Sequence, residues 1–296
     1  MSGPPRPQPP AAGAGLVLEG GGMRGLFTAG VLDALYAEGI RFPGIIAVSA
    51  GAAFGCNFKS GQPGRALRYN VRYCRDGRYW GLASLFRTGD LFNADFCYRA
   101  IPRELDPWDA AAFEADPARF WVVATDADTA EPACTELIRA DGLACEWIRA
   151  SASMPGVSRP VPIDGRRWLD GGISDAIPLA RFQAMGYRRC VVVLTRPAGY
   201  RKRSTRLAAL LARAALRRFP AIAEAMVSRP ARYNRALDHV AAEEARGNAF
   251  VIRPPRALPV GRTTRSPDAL RRTHALGLEA ARSALPALRE WLAAST

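Results

Sequence analysis

A serine stands where a predicted strand meets a predicted helix, in the segment Ala47-Val48-Ser49-Ala50-Gly51. A serine in a sharp strand-to-helix turn is typical of a nucleophile elbow, whose crowded backbone requires small neighbours. The usual pattern is G-x-S-x-G, and Ala47 replaces its first glycine with the smallest possible change. Because a serine at this place can also simply cap a helix, the segment by itself leaves both interpretations open.

A glycine-rich loop precedes this serine and is formed by Gly20, Gly21, Gly22, Met23, Arg24 and Gly25. Its spacing matches the dinucleotide fingerprint G-x-G-x-x-G, which also needs an acidic residue about 20 positions further on. No Asp or Glu occurs between Gly39 and Lys59, and no Lys-Ser or Lys-Thr follows the glycines as in a Walker loop. The loop therefore remains a set of exposed backbone N–H groups that can bind an anion.

The third segment that could take part in catalysis is Asp170-Gly171-Gly172, which follows a predicted hairpin strand and can also be a plain turn. A serine hydroxyl is a poor nucleophile until a base removes its proton. The chain has only two histidines, His239 and His274, and both lie in a basic, helical region away from predicted strand ends. Asp170 is therefore the best placed base.

Taken together and in this order, GGGMRG, AVSAG and DGG resemble the motifs of the patatin-like phospholipases. The resemblance covers residues 16–195. The segment SASMPGVSRPVPIDGRRWLDGGISDAIPL is similar to the family's segment that leads through its catalytic aspartate. It implies an α/β fold, a three-layer α/β/α arrangement with a mostly parallel central sheet. It also implies a serine acyl hydrolase that cleaves ester bonds of phospholipids or lysophospholipids without a metal or a cofactor.

The same resemblance assigns roles to individual residues. Ser49 is implied as the nucleophile and Asp170 as its base, while backbone N–H groups of residues 20–25 are implied as the oxyanion hole. A non-catalytic member of the same fold, serving regulation or membrane interaction, stays open because fold does not fix function and because Ala47 departs from the family pattern.

Three other charged residues near the motifs have two interpretations each. Arg24 can pair with a phosphate or a fatty acid carboxylate of the substrate, or it can brace the glycine loop. Asp126 and Asp128 end a predicted strand and compete with Asp170 as the base, although turn chemistry explains them sufficiently.

Elements predicted around the motifs alternate between strand and helix, which is typical of a parallel sheet covered on both faces. We predict strands at residues 16–19, 44–48, 120–127 and 190–195, and a last strand in NAFVIRPP. A helix over residues 26–39 is predicted to end at Gly39. The pair Asp164-Gly165 predicts a hairpin turn.

The composition is that of a globular protein with excess positive charge. Charged residues make up 23% of the chain, and 41 Lys or Arg against 27 acidic residues give a net charge of +14, which excludes fibrous and disordered classes. Nucleic acid, an anionic membrane or an acidic substrate fit that charge. Residues 196–235 hold eleven Lys or Arg but few of the interleaved aromatic residues that a nucleic-acid groove needs, which disfavours nucleic acid.

The composition also divides the chain into three parts. We predict a flexible tail over residues 1–14, a patatin-like catalytic domain over residues 15–197 and a basic, mostly helical extension over residues 198–296. The tail lacks the apolar stretch of a signal peptide. Six scattered cysteines without a C-x-x-C pair indicate reduced thiols and no zinc site, so we predict a cytoplasmic protein. The oligomeric state stays open.

One segment of the extension, RSTRLAALLARAALRRF, places Arg206, Arg213 and Arg217 on one stripe of a predicted helix. Leucines and alanines occupy the rest of its surface. A helix of this kind can lie on an anionic membrane, such as the inner face of the cell membrane. It can also pack on the sheet and leave an arginine edge in solvent, and the sequence leaves both interpretations open.

Overall fold

Short apolar runs form the strands of one central sheet in the computed structural model, which describes residues 13–294. Residues 1–12 of the predicted tail, like residues 295–296, lie outside the described residues. The strands are β1 (Gly15–Leu18), β2 (Gly44–Val48), β3 (Arg119–Asp126), β4 (Pro132–Glu136), β5 (Val161–Ile163), β6 (Arg166–Asp170), β7 (Cys190–Val193) and β8 (Ala249–Ile252).

The sheet has eight strands in the order β5-β6-β3-β2-β1-β7-β8, and β4 pairs with β3 outside this path. The strands from β3 to β8 in this order are parallel, and β4, β5 and β6 are added in antiparallel pairs. The predicted strands are confirmed, and so is the mostly parallel sheet. The strand β4 was missed because PACTE lacks an apolar run.

Helices cover both faces of this sheet, which confirms the predicted three-layer fold. They are α1 (Gly25–Ala37), α2 (Ala50–Lys59), α3 (Arg65–Tyr73), α4 (Leu82–Thr88), α5 (Ala110–Ala115), α6 (Gly142–Ser151), α7 (Leu179–Ala184), α8 (Arg206–Ala215), α9 (Pro220–Ala245) and α10 (Pro267–Ala293). A π-helix spans Phe96–Leu105, and short 3₁₀ turns occupy Gly22–Arg24 and Gly171–Ile173.

Alternate residues of the central strands point to opposite faces and build two cores. Leu16, Ile45 and Phe120 are buried in the core that also contains residues of α1, α2, α6 and α10. Val17 and Ile46 are buried in the other core, beneath α7 and α9. Because both faces are buried, the strands have continuous apolar runs rather than alternation.

Two turn predictions are confirmed by the backbone. Gly39 has φ +69, its N–H donates to the Tyr36 carbonyl, and the next N–H, of Ile40, donates to the Leu35 carbonyl. This pair of hydrogen bonds is a Schellman cap, which ends α1 at the place that the glycine predicts. Asp164 and Gly165 have φ 50 and φ 73, the left-handed pair that a tight hairpin between β5 and β6 requires.

The basic extension completes the same sheet instead of forming a second one. Strand β8 lies parallel to β7 at the sheet edge. Helix α10 crosses α1 closely, because Gly30 and Gly277 leave room where a Cβ atom would lie 2.1 Å and 2.0 Å from the carbonyl oxygens of His274 and Phe27. The predicted boundary between residues 197 and 198 therefore does not separate two sheets, although its functional meaning stays a prediction.

Helix α8 is shorter than the predicted arginine stripe. Among the helices of residues 13–294 that are longer than seven residues, it alone has no buried residue. It ends at Ala215, so Arg217 lies beyond it. Pro220 begins α9, and a proline disfavours helical conformation in the preceding residue, Phe219, so α8 and α9 are not continuous. Leu207, Leu210 and Leu211 are 65%, 64% and 58% exposed. The alternative in which this helix packs on the sheet through its leucine side is therefore wrong.

None of the helices formed by residues 13–294 combines the length and apolar character that crossing a membrane requires. All six cysteines are free thiols. The cytoplasmic location that the sequence indicates stays a prediction.

Candidate active site

Ser49 lies in the sharp turn between β2 and α2 with a strained backbone. Its φ is 55 and its ψ is −122, and a non-glycine residue at such angles costs about 1–3 kcal/mol. Its N–H donates a 2.8 Å hydrogen bond to Ser151 Oγ, and Ser151 Oγ donates in turn to the Val123 carbonyl at 2.6 Å. This chain of bonds from β3 holds the turn in place.

Close packing around this turn explains the small residues of the predicted elbow. A Cβ atom on Gly20 would lie 2.9 Å from Ser49 Cβ, and one on Gly51 would lie 2.7 Å from the Leu18 carbonyl oxygen. Ala47 is fully buried in the sheet core, where its methyl group is accommodated. Ser49 keeps its positive φ with this alanine present, so replacing the first glycine leaves the elbow's geometry intact.

The Ser49 hydroxyl contacts Asp170 rather than capping α2. Ser49 Oγ donates a 2.8 Å hydrogen bond to Asp170 Oδ2, and no capping bond joins the serine side chain to the helix. Asp170 Oδ1 accepts from the Gly172 N–H at 2.7 Å, which fixes the carboxylate. Gly171 is required because a Cβ there would lie 2.2 Å from the Val123 carbonyl oxygen. The structure thus brings together the serine and the aspartate that the sequence singles out.

Burial raises the pKa of Asp170 above the ordinary value for an aspartate. The positive charge of Arg229 is the largest opposing influence, followed by the Ser49 hydrogen bond, the Gly172 N–H and the charge of Arg262. A carboxylate with a raised pKa is a stronger base than one in water, and these four groups still favour its ionised form. Asp170 is therefore suited to accepting a proton from Ser49.

The glycine loop contributes fewer free N–H groups than the six residues predicted. Met23 N–H donates to the Arg262 carbonyl at 3.1 Å, and Arg24 N–H donates to the Gly21 carbonyl at 3.3 Å. Gly25 N–H donates to the carbonyls of Gly22 and Met23. Within residues 13–294, the N–H groups of Gly20, Gly21 and Gly22 have no hydrogen-bond acceptor, and all three residues line a cavity beside Ser49.

Two cavities meet at Ser49. The first, the charged cavity, has a volume of about 290 Å³. Its wall includes the carboxylates of Glu19 and Asp170 and five cations, Arg24, Arg196, Lys202, Arg229 and Arg262. The second, the apolar cavity, has a volume of about 130 Å³, and its wall includes Ala53, Phe54, Tyr69, Phe92, Cys97 and Tyr98. A reacting ester at Ser49 would therefore face an apolar wall on one side and a cationic wall on the other.

Arg24 does not brace the glycine loop through side-chain hydrogen bonds. It is only 8% exposed, and its Nε has no hydrogen-bond partner among the described residues. Burial, together with the charges of Arg196 and Arg262, lowers the pKa of Arg24 to about 10. The structure therefore disfavours the bracing interpretation, and the guanidinium remains charged at neutral pH.

Other candidate bases lie elsewhere. His239 Nε2 is bonded to Gln183 and His274 Nε2 to Asp33, outside both cavities. Asp126 accepts from the N–H groups of Asp128 and Thr129, which is the turn chemistry that the sequence indicates. No group of three or more His, Cys, Asp or Glu side chains in residues 13–294 is arranged to hold a metal ion.

Sequence reasoning missed several residues that build the site. Glu19 is buried beneath the glycine loop, where it accepts hydrogen bonds from Thr195 and from the Tyr233 hydroxyl at 2.7 Å. A lone acidic residue after an apolar strand was the only signal for it. Ser151 had no signal, because its role depends on a contact across 102 positions. Arg229 contacts the Gly172 carbonyl from α9, which no local pattern indicates.

Comparisons with known proteins cover most of the chain with two family models. Residues 16–182 match the model described as patatin-like phospholipase. Residues 219–293 match a domain of unknown function, DUF6363.

Individual relatives share the first of these regions. An uncharacterized protein of Escherichia coli, YjjU, is 36% identical over 62% of this chain and 52% of its own length. The lysophospholipase NTE1 of Eremothecium gossypii is 28% identical over 60% of this chain and 12% of its own length. An uncharacterized NTE family protein of Mycobacterium bovis is 29% identical over 56% of this chain and 44% of its own length. The match thus spans about half or less of these relatives.

Proposed function

Since the chain belongs to the patatin-like phospholipase family, we propose that it is a serine acyl hydrolase that cleaves carboxylic ester bonds of lipids. The observation that carries this proposal is the 2.8 Å hydrogen bond from Ser49 Oγ to Asp170 Oδ2 at the meeting point of two cavities. A related protein is named a lysophospholipase, which supports a phospholipid or lysophospholipid as the substrate class.

The first half of the reaction forms an acyl-enzyme. Ser49 Oγ attacks the ester carbonyl carbon while its proton passes to Asp170 Oδ2, and the carbonyl oxygen becomes an oxyanion. The free N–H groups of Gly21 and Gly22, which line the cavity with Ser49, are the loop donors for this oxygen, and each preorganised donor of this kind is worth ~3–4 kcal/mol. The tetrahedral intermediate then expels the lipid alcohol, which takes the proton from Asp170.

The second half of the reaction releases the fatty acid. A water molecule gives its proton to Asp170 and attacks the carbonyl of the acyl-Ser49 ester. The new tetrahedral intermediate breaks its bond to Ser49 Oγ, which recovers the proton from Asp170. A single buried carboxylate serves as base and acid in both halves, and a pKa raised by burial suits this double role.

The start of α2 supports the same assignment. Ala50 follows the nucleophile, and its N–H has no acceptor among the described residues because it begins a helix. The residue after the nucleophile supplies an oxyanion donor in elbows of this kind. The positive end of the helix dipole at the same place stabilises the negative oxygen further.

Labelling with a fluorescent fluorophosphonate tests the nucleophile. We expect the wild-type protein to be labelled and Ser49→Ala to lose the label, because the probe reacts only with an activated serine. Ser158→Ala is the matched control, since Ser158 lines both cavities but, unlike Ser49, makes no side-chain hydrogen bond to a carboxylate among the described residues. A folded wild-type protein that takes no label and hydrolyses no ester would favour the non-catalytic alternative.

We propose in addition that α8 brings the enzyme to an anionic lipid surface. Three exposed leucines, Leu207, Leu210 and Leu211, share one helical face. Arg206 and Arg213 lie on one side of this face, and Arg213 pairs with Glu224. The helix can therefore insert its leucines while Arg206 pairs with an acidic head group.

Sedimentation with phosphatidylcholine vesicles, with and without phosphatidylglycerol, tests this contact. We expect binding that depends on the anionic lipid and decreases with salt. Leu210→Glu should abolish it, whereas Ala208→Glu places the same charge on a different face of α8 and should retain most of it. Equal loss in both variants, or binding indifferent to the anionic lipid, would contradict the proposal.

A further inference from the structure

Four cations join Arg24 in the wall of the charged cavity: Arg196, at the end of the predicted catalytic domain, and Lys202, Arg229 and Arg262 of the basic extension. Together with Arg24 they face only two carboxylates, Glu19 and Asp170. No ion pair in the described part of the chain involves any of these five cations. Arginines elsewhere, such as Arg119 beside Glu136, are paired with an acid. The cavity therefore carries more positive charge than its two carboxylates compensate.

The contacts that these cations do make are with aromatic rings and carbonyl groups. The Arg196 guanidinium lies 4.3 Å from the ring centre of Tyr200, and Lys202 Nζ lies 3.4 Å from that of Tyr233. Arg229 Nε donates to the Gly172 carbonyl at 2.5 Å. Such contacts hold the side chains in place and leave their charge uncompensated.

The cost of this arrangement is visible at Lys202. Burial, followed by the charge of Arg229, lowers the pKa of Lys202 to about 6, and Arg262 and Arg24 act in the same direction. Glu19 opposes the shift but does not cancel it. Buried like charges are unfavourable unless an anion compensates them, so the cavity is built for a negatively charged occupant.

We propose that Arg196, Lys202, Arg229 and Arg262 form a head-group site for the phosphate of lipid esters whose head group has a net negative charge. This inference rests on the proposed function, because the occupant must also present an ester to Ser49. The ester and the phosphate of a lysophospholipid are separated only by glycerol, which agrees with a cavity whose wall includes both Ser49 and these cations.

The charge of the wall also decides between classes of head group. A phosphate or phosphoglycerol group brings only negative charge, which the three arginines compensate, joined by Lys202 when the bound anion favours its ammonium form over the neutral amine. A choline head group brings an ammonium ion as well, and this cation would face the same uncompensated arginines. The site therefore favours anionic phospholipids over zwitterionic ones, and it assigns a role in substrate selection to the extension.

Hydrolysis of two lysolipids tests the proposal. Lysophosphatidylglycerol and lysophosphatidylcholine with the same acyl chain are presented in neutral detergent micelles. The butyrate ester of p-nitrophenol, which has no head group, measures the esterase activity of Ser49 by itself. We expect the wild-type kcat/KM to be about tenfold higher or more for the anionic lipid, since charge-assisted hydrogen bonds have this effect. Equal rates on the two lipids would overturn the proposal.

The decisive variant is the double substitution Lys202→Met with Arg262→Met, which keeps the Arg262 carbonyl that accepts from Met23. We expect it to lose the preference for the anionic lipid, measured as the ratio of kcat/KM for the two lysolipids. Because Arg262 also acts on Asp170, the rate on the butyrate ester serves to correct for any change in turnover that both lipids share. Arg203→Met with Arg256→Met removes the same charge from exposed positions of the same extension and should keep the preference. A preference that survives in the first variant, or is lost in both, would overturn the site.

A binding measurement separates this inference from the proposed function. Calorimetry on Ser49→Ala protein with glycerol phosphate needs no catalysis, and we expect binding that the Lys202 and Arg262 substitutions remove. Absence of binding overturns the site even if the enzyme is active. Binding of inorganic phosphate together with equal rates on both lysolipids would make the cavity a free-phosphate site and overturn the head-group assignment.

Discussion

The two cavities that meet at Ser49 differ in origin as much as in chemistry. The aromatic side chains in the wall of the apolar cavity come from residues 54–98, a region that packs further rings behind them, as Tyr73 and Phe96 do at 5.2 Å. Most cations of the charged cavity come from residues 196–262, near the other end of the chain. The region that matches the family model thus supplies the serine and the aspartate that we propose to react, and the extension supplies most of the charge beside them.

This difference separates the properties that the fold itself fixes from those that other parts of the chain add to it. The elbow and the Asp-Gly-Gly turn are fixed by the backbone of the sheet, because a Cβ at Gly51 or Gly171 would collide with carbonyl groups. The cations of residues 196–262 lie on two loops and on α9, and only the loop at Arg262 packs as closely, where a Cβ on Gly22 would lie 2.7 Å from the Arg262 carbonyl oxygen. We therefore expect substitutions on the two sides to change different kinetic quantities.

The largest effect should come from Asp170→Asn, which removes the base that both cavities share. Asparagine has the same size and can still accept from the Gly172 N–H, but it cannot take the proton of Ser49. We expect kcat to fall about a thousandfold, within the range for loss of a general base, on lipids of any head group. Hydrolysis of the butyrate ester measures it, and a variant that retains more than a tenth of the activity would contradict the assignment.

A smaller effect should follow from Ser151→Ala, which leaves the Ser49 N–H and the Val123 carbonyl without their common partner. Two buried backbone groups lose a hydrogen bond, so we expect unfolding to become about 1–3 kcal/mol easier and kcat to fall about tenfold as the elbow loosens. Ser153→Ala is the control, because its hydroxyl donates only to the Arg149 carbonyl at 2.8 Å. Denaturant unfolding and esterase rates, measured on both variants, check the prediction.

The apolar cavity should respond to Ala53→Phe in a way that the charged cavity does not. The larger side chain fills part of a cavity of about 130 Å³, so we expect long acyl chains to lose about tenfold in kcat/KM relative to butyrate. The preference for one head group over another should stay unchanged. A parallel loss on short and long chains would mean that this cavity does not hold the acyl chain.

The sequence predicts one side of this comparison far better than the other. GGGMRG, AVSAG and DGG are local patterns whose glycines are required by close backbone contacts, so the central strands, the elbow and the serine–aspartate pair could be expected from them. Lys202, Arg229 and Arg262 belong to no motif, because their common cavity depends on how α9 and the loop before α10 return to the glycine loop. The positive charge of residues 196–235 was visible, but its position beside Ser49 was not.

Arg229 joins the two sides, and its effect should be a shift in pH dependence rather than a loss of turnover. Burial raises the pKa of Asp170 and Arg229 opposes that shift, with Arg262 acting in the same direction as Arg229. In Arg229→Met the pKa of Asp170 should rise further. Because only the ionised carboxylate can accept the proton of Ser49, the acidic limb of the kcat/KM profile should move to higher pH.

Arg232→Met is the matched control, since Arg232 bonds the neighbouring Ile173 carbonyl at 2.9 Å but is not among the charges acting on Asp170. Its profile should coincide with wild type, and an unmoved limb in Arg229→Met would show that this arginine only holds the Asp-Gly-Gly turn.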